Sequence, residues 1–363
     1  MSKFPELTSG SRPIAVVSFA QAKAVRADIA HNEVEMLLPV FGELFAKAGI
    51  TKDDLNFICS GSTDYLIGGP FSFVMALDAI GVWPPKPESH VEMDAAWALY
   101  EAWVTMQEPG KDVSLVYGFG KSSLASDLGK VLALQMDPYT MAPLWPDPTS
   151  VAALQARALL DAGLATEEDF AEVAARNRRN ALKNPYAQVA RDDDLATLMA
   201  EAYVASPLRR HCLPPITDGC SALILVAGER AYDFSDNPAW ITGIDHRMET
   251  HALGARDLTQ SPSTERAAVE AGVAKGGLDL AEIYAPYAHQ ELILAKALGL
   301  GADTQINPSG GALAANAIMS AGLTRIGEAA TRIMSGEAKR AVAHASAGPV
   351  LQQNLVAVLE GAR

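Results

Sequence analysis

Residues 307–326 read NPSGGALAANAIMSAGLTRI, and this stretch decides how the rest of the chain is read. An Asn-Pro-Ser-Gly-Gly turn ahead of a run of small residues lets a backbone come very near a ligand or a neighbouring element, because glycine reaches left-handed dihedrals and carries no Cβ. The run predicts one long helix from Gly311 to about residue 335. The quoted stretch holds no His, Cys or carboxylate. Gly310 and Gly311 therefore either shape a pocket or simply make a tight strand-to-helix turn.

Working outward, apolar runs alternate with amphipathic ones. PIAVVSFA (13–20), LNFICSGS (55–62), DVSLVYGFG (112–120) and SALILVAGE (221–229) read as buried strands. NEVEMLLPVFGELFAKAG and the Ala- and Trp-rich DAAWALYEAWVTMQ, from about 94 to 107, read as helices. The second half repeats this order with AWITGI, STERAAVEAGVAK, LAEIYA, HQELILAKALG, the quoted segment, RAVAHAS and NLVAVLEG. Two similarly ordered halves imply a duplicated βαβ core around a mostly parallel sheet. Residues 121–217 break the rhythm with the Pro-rich MAPLWPDPTS and the helical SVAALQARALLDAG and TEEDFAEVAARNRRNAL, which predicts an inserted, largely helical unit. The expected organisation is 1–120 plus 218–235 as one half, 121–217 as the insert and 236–363 as the other half.

The 363 residues suffice for a large core, and a composition 49% hydrophobic but only 7% aromatic suits close-packed helices on sheets. A net charge of −14 argues against nucleic acid as a partner, since that contact depends on neutralising phosphates. Cys59, Cys212 and Cys220 have neither zinc-ligand nor disulfide-framework spacing, and no metal site is expected. With no signal-peptide pattern and no apolar run long enough to span a bilayer, a cytoplasmic protein without membrane insertion is expected.

These segments carry a resemblance to the thiolase superfamily, in its sterol-carrier and lipid-transfer-protein branch. NPSGGALAANAIMSAGLTRI resembles that branch's NPSGG…GHPxGATGxRI at equal length; NRRNALKNPYA (177–187) is similar to its loop-domain signature, and PPITDGCSALILV (214–226) to its DGAAA strand entry. AEIYAPYAHQELILAKALGL (281–300) sits where the branch carries IExHDCFSxNELLxxEALGL. The resemblance covers nearly the whole chain. It implies an α/β thiolase-like fold with a duplicated βαβαβαββ core, layered α/β/α/β/α, and an inserted mainly helical loop domain.

The same resemblance removes the thiolase chemistry. Ala95, with Asp94 beside it, stands where a family thiolase has its nucleophilic Cys; Tyr284 and Pro286 replace the His and Cys of HDCF, and Ala317 replaces the GHP His. Branch members lacking that Cys act as aldolases on β-hydroxyacyl-CoA thioesters, some bearing a steroid side chain, and carry a YxPF-like motif. Here the motif reads Tyr284-Ala-Pro-Tyr287. A retro-aldol step needs a base for the β-hydroxyl proton and donors for the enolate, and no covalent nucleophile.

Catalytic candidates are accordingly Tyr284, Tyr287, His289, His344 and Asp94. Each has a plainer reading: a packed tyrosine, a satisfied histidine or a helix N-cap. Asn307, Ser309, Gly310 and Gly311 are expected to line the acyl-CoA pocket, and the basic residues Arg178 and Arg179, with Arg176, Lys183, Arg209 and Arg210 nearby, to meet CoA phosphates. No covalently bound cofactor is expected, coenzyme A entering as part of the substrate. The resemblance implies a homodimer or thiolase-like heterodimer, and an OB-fold, zinc-ribbon partner protein. Two alternatives stay open: a degenerate subunit that binds acyl-CoA or supports an active partner, and an acyltransferase working through Cys212 or Cys220.

Overall fold

The computed structural model describes residues 4–8, 10–67 and 69–362. The first half runs β1 (Ile14–Gln21), α1 (Glu33–Ala48), β2 (Phe57–Gly61), α2 (Asp64–Ile67), α3 (Ser72–Ile80), β3 (Glu88–Val91), α4 (Ala95–Thr105) and β4 (Val113–Lys121). An insert follows with α5 (Leu128–Leu134), α6 (Pro148–Asp161), α7 (Glu167–Asn180), α8 (Leu195–Met199) and the hairpin β5 (Tyr203–Ala205) with β6 (Leu208–Arg209), and β7 (Asp218–Ala227) returns to the sheet. The second half is β8 (Ala239–Met248), α9 (Pro262–Glu270), β9 (Leu280–Ile283), α10 (Ala288–Ala297), β10 (Gln305–Ile306), α11 (Gly311–Ala314), α12 (Ala321–Met334), β11 (Arg340–Ala347) and β12 (Gln353–Glu360).

The ten core strands lie in the order β10-β9-β11-β12-β8-β1-β7-β4-β2-β3. Numbered within its own half, each set of five has the spatial order third, second, fourth, fifth, first, and the same pattern of parallel and antiparallel pairs. That is a duplication in the backbone itself. The halves join through a short antiparallel contact, Ala15 to Trp240 and Val16 to Ala239. The insert occupies the link between the fourth and fifth strands of the first half, which in the second half is only the β11–β12 turn.

Three apolar clusters make the layers. Helices α1 and α3 cover one face of the first half, and α9, α10 and the insert's α6 and α7 cover one face of the second. On the other face of the sheet, α4 and α12 share a cluster with strands of both halves, to which they bring the small residues Ala95, Ala96, Ala98, Ala102, Ala329 and Ala330. Small side chains let two buried helices approach within van der Waals contact while larger residues on the strands fill the flanks. Local signals agree with this placement: α1 opens on a reciprocal Asn32–Glu35 capping box and ends on left-handed Gly49.

The structure corrects one expectation that bears on the site. The helix expected from Gly311 to about 335 is two helices, because residues 315–320 leave the helical path. Ala315 is extended, and Met319 takes a φ of 76°. This break presses onto β4 and β7: a Cβ at Gly120 would lie 1.9 Å from the Ile318 carbonyl oxygen. Only glycine leaves room there.

Candidate active site

The N-termini of α4 and α12 meet at Asp94. Its Oδ1 accepts from the backbone N–H of Ala96 at 2.9 Å and of Leu323 at 3.1 Å, and its Oδ2 from Gly322 at 2.9 Å. One carboxylate thus caps both central helices and faces the positive end of both dipoles. Gly322 makes the approach possible, since a Cβ there would stand 2.6 Å from Asp94 Oδ1. Burial pushes the Asp94 carboxyl up, against the three backbone donors and the Arg325 charge, which favour the anion. The next amide, Ala95 N–H, donates to Met319 O at 2.9 Å, so the break in the helix also closes the head of α4.

Tyr284 follows β9 and points to the same layer. Its hydroxyl donates to Asn316 Oδ1 at 2.8 Å, its carbonyl accepts from Ser346 Oγ at 3.0 Å, and its ring packs on Ala312 and Ala321. Burial, reinforced by the negative charge of Asp94, pushes the phenol well above its ordinary range. It is a neutral donor at physiological pH. Asn316 lies in the break, its own N–H donating to Thr217 Oγ1 at 3.1 Å, and Thr217 in turn donating to Gln188 at 2.7 Å. Sequence reading passed over Asn316 because it stood inside what read as one helix; the visible signal was an amide amid a run of small residues.

Strand alternation separates the other candidates from this group. On β11, Ala343 and Ala345 face the central helices, so His344 faces the opposite side of the sheet. Its Nε2 is 3.0 Å from Asn354 Oδ1, and Asn354 continues to Ser263 Oγ at 2.7 Å, near the start of α9. His289 is fully buried on α10, with Nε2 3.3 Å from Gln155 of α6 and its ring beside Phe170. Desolvation lowers His344 to about 4 and His289 to about 3. Tyr287 caps α10 beside Thr149, its phenol pushed up to about 12 by burial. Of the five catalytic candidates, only Asp94 and Tyr284 share a layer.

The residues expected to line a CoA pocket have other tasks. Asn307 donates to Glu291 Oε2 at 2.6 Å and accepts from Ile283 N–H, and Ser309 bonds Glu282 through both N–H and Oγ at 2.9 and 2.7 Å. Gly310, with φ 101°, abuts Ala181 so closely that a Cβ would stand 2.7 Å from that methyl, and Gly311 backs onto Asn307. Asn177, Asn180 and Asn184 all bond to this segment or to Glu291. NPSGG is thus the latch that docks α7 and the segment after it onto the second half. Arg178 is buried and paired with Asp193 at 2.8 Å, while Arg179 is exposed and paired with Asp192 at 2.7 Å. Neither guanidinium is left unpaired.

All three cysteines are buried, and desolvation pushes each thiol up to about 12, which disfavours the nucleophilic thiolate. Among the described residues no group of three or more His, Cys, Asp or Glu is arranged to hold a metal, and no helix is long and apolar enough to cross a membrane. The central group is nearly closed, with Asp94 5%, Tyr284 6% and Asn316 4% exposed. Two open clefts lie elsewhere: about 560 Å³ between the ends of α9 and α10, and about 200 Å³ between β1, residues 183–186 and α12.

No family model matches the chain. Among curated proteins it is 26% identical over 352 residues to an acetyl-CoA acetyltransferase of Methanocaldococcus jannaschii, covering 87% of this chain and 88% of that one. It is also 26% identical over 290 residues to the acetyl-CoA acetyltransferase of Methanothermobacter thermautotrophicus, covering 73% and 76%. Among solved structures it superposes on the Ltp2-ChsH2(DUF35) aldolase with a TM-score of 0.80 at 19% identity, covering 97% of this chain and 98% of that one. Human mitochondrial 3-ketoacyl-CoA thiolase gives 0.78 at 15% identity, covering 96% and 98%. The chain has the thiolase fold, and its homology is with thiolase-fold proteins.

Proposed function

We propose that this chain is a carbon–carbon lyase that cleaves a β-hydroxyacyl-CoA thioester by a retro-aldol reaction. The observation that carries the proposal is the head of α4: a carboxylate and a neutral phenol belong to the central layer there, and the three thiols are buried with their thiolates disfavoured. Likeness to an aldolase and to CoA-handling thiolases supports the same reading. In the reaction the β-hydroxyl loses its proton, its oxygen forms the new carbonyl, and the Cα–Cβ bond breaks with its electrons passing to the thioester enolate. Protonation at Cα then releases the shortened acyl-CoA. Asp94 Oδ2, which accepts only one backbone donor, is assigned the β-hydroxyl proton, and Tyr284 the return of a proton to Cα, its hydroxyl turning from Asn316 Oδ1 for that step and regaining the proton that Asp94 took up. Bulky acyl groups, including steroid side chains, are the first substrates to offer.

Purified protein should convert such a thioester to a ketone or aldehyde and a shorter acyl-CoA, read by mass spectrometry. Tyr284→Phe should lower turnover at least ~100-fold, the scale of one lost proton-transfer group, while the protein stays folded with stability reduced by about 1–3 kcal/mol for the Asn316 oxygen left without its donor. Full turnover in that variant would remove Tyr284 from the chemistry. A second reading is a subunit that binds acyl-CoA without cleaving it, favoured by the closure of the central group and the capping work of Asp94. Calorimetric binding of the thioester with no cleavage would select it. For assembly, we infer a second copy or an OB-fold protein as partner; among the described residues β3 ends the sheet with no strand on its outer edge, and light scattering on the purified chain tests for the homodimer.

A further inference from the structure

A retro-aldol site must hold negative charge on the thioester oxygen as the carbon–carbon bond breaks. Helix N-termini are the usual source of such donors, and this fold brings two of them together. Here they are spent: Ala96, Gly322 and Leu323 N–H groups go to Asp94, Trp97 N–H to the Asp94 carbonyl, and Ala95 N–H to Met319. The oxygen needs another partner.

Asn316 is turned so as to provide one. Its backbone is fixed by Thr217, and its Oδ1 is held by the Tyr284 hydroxyl, which sets the amide plane and leaves Nδ2 on the other side. Nδ2 donates to no described residue and is not sealed from solvent. Ala317, its neighbour, carries only a methyl and can donate nothing. Resting on the lyase reading above, we infer that Asn316 is a catalytic residue whose Nδ2 donates a hydrogen bond to the thioester carbonyl oxygen while its Oδ1 aligns Tyr284.

Asn316→Asp keeps the shape and the acceptor but loses the donor. With a cleavable β-hydroxyacyl-CoA, kcat should fall about 100- to 1,000-fold with little change in KM, the scale of one lost oxyanion donor. A second readout needs no turnover: butyryl-CoA labelled with ¹³C at the carbonyl, bound to wild-type protein, should show its C=O stretch shifted to lower frequency, and Asn316→Asp and Asn316→Ala should abolish that shift. Melting temperatures identify any variant that does not fold, and Asn316→Ala stands in if the aspartate variant fails. Unchanged kcat, or an unchanged C=O frequency in both variants, overturns the assignment while leaving the lyase reading standing. An Asn316-dependent shift in a protein that cleaves nothing sinks the lyase reading and keeps the carbonyl contact. Failure of wild-type protein either to cleave or to bind overturns both.

Discussion

His344 and Tyr284 are close in the sheet yet do opposite things, and the difference is one residue of strand register. His344 pairs with Ile283, which faces the outer helices, and Tyr284 is the next residue along, facing the central ones. Burial keeps His344 and His289 neutral, with folded values near 4 and 3 against about 6.5 in an unfolded chain. Because the folded values are depressed, the unfolded chain takes up protons that the native protein refuses, and stability falls as pH drops from about 6.5 towards 4 and below. Each histidine should remove about 2 kcal/mol by pH 5. Urea unfolding at pH 7 and pH 5 checks this: His344→Gln should lose visibly less stability over that interval than the wild type, and equal losses would show that His344 does not titrate this way. Tyr284 carries no such signature, since its phenol stays protonated throughout.

At the scale of elements, the break between α11 and α12 organises the centre. Continuing the helix would have removed the turn that brings Asn316 to Tyr284 and Met319 O to the head of α4. Asp94 then ties the two helix ends together through three buried amides. Asp94→Ala leaves those amides without partners, at roughly 1–3 kcal/mol each, so a loss of about 3 kcal/mol or more in urea-derived stability is expected. Asp94→Asn, which retains one acceptor oxygen, should lose about half as much. If Asp94→Ala unfolds at the wild-type denaturant concentration, the carboxylate is not holding the helices, and its burial would have to serve another purpose.

Across the whole molecule, one polar network links parts that are distant in sequence. Arg325 pairs with Glu282 at 2.9 Å and donates to Ser309; Arg332 pairs with Glu328 at 2.7 Å; Glu328 accepts from Gln21 of the first half at 2.6 Å and from Asn184 of the insert at 3.4 Å. Removing Arg325 leaves the buried Glu282 carboxylate with only the more distant Arg332, 3.8 Å away, as its counter-charge, so Arg325→Met should cost about 3 kcal/mol. The double variant Glu282→Gln with Arg325→Met should recover part of that loss, and a double-mutant cycle by chemical denaturation measures the coupling. Additive losses would mean the two residues do not stabilise each other. Much of this architecture was legible beforehand: hydrophobic period distinguishes strands from helices locally, and the repeated order of those periods declared two like halves. The small residues of 307–326 also announced close packing. What a linear chain could not reveal was which face each strand turned inward, where the long helix broke, and that NPSGG grips the insert while Asp94 bridges two helices. Those outcomes depend on partners more than a hundred residues apart, and a side chain's environment at such distances is set by packing and not by its neighbours along the chain.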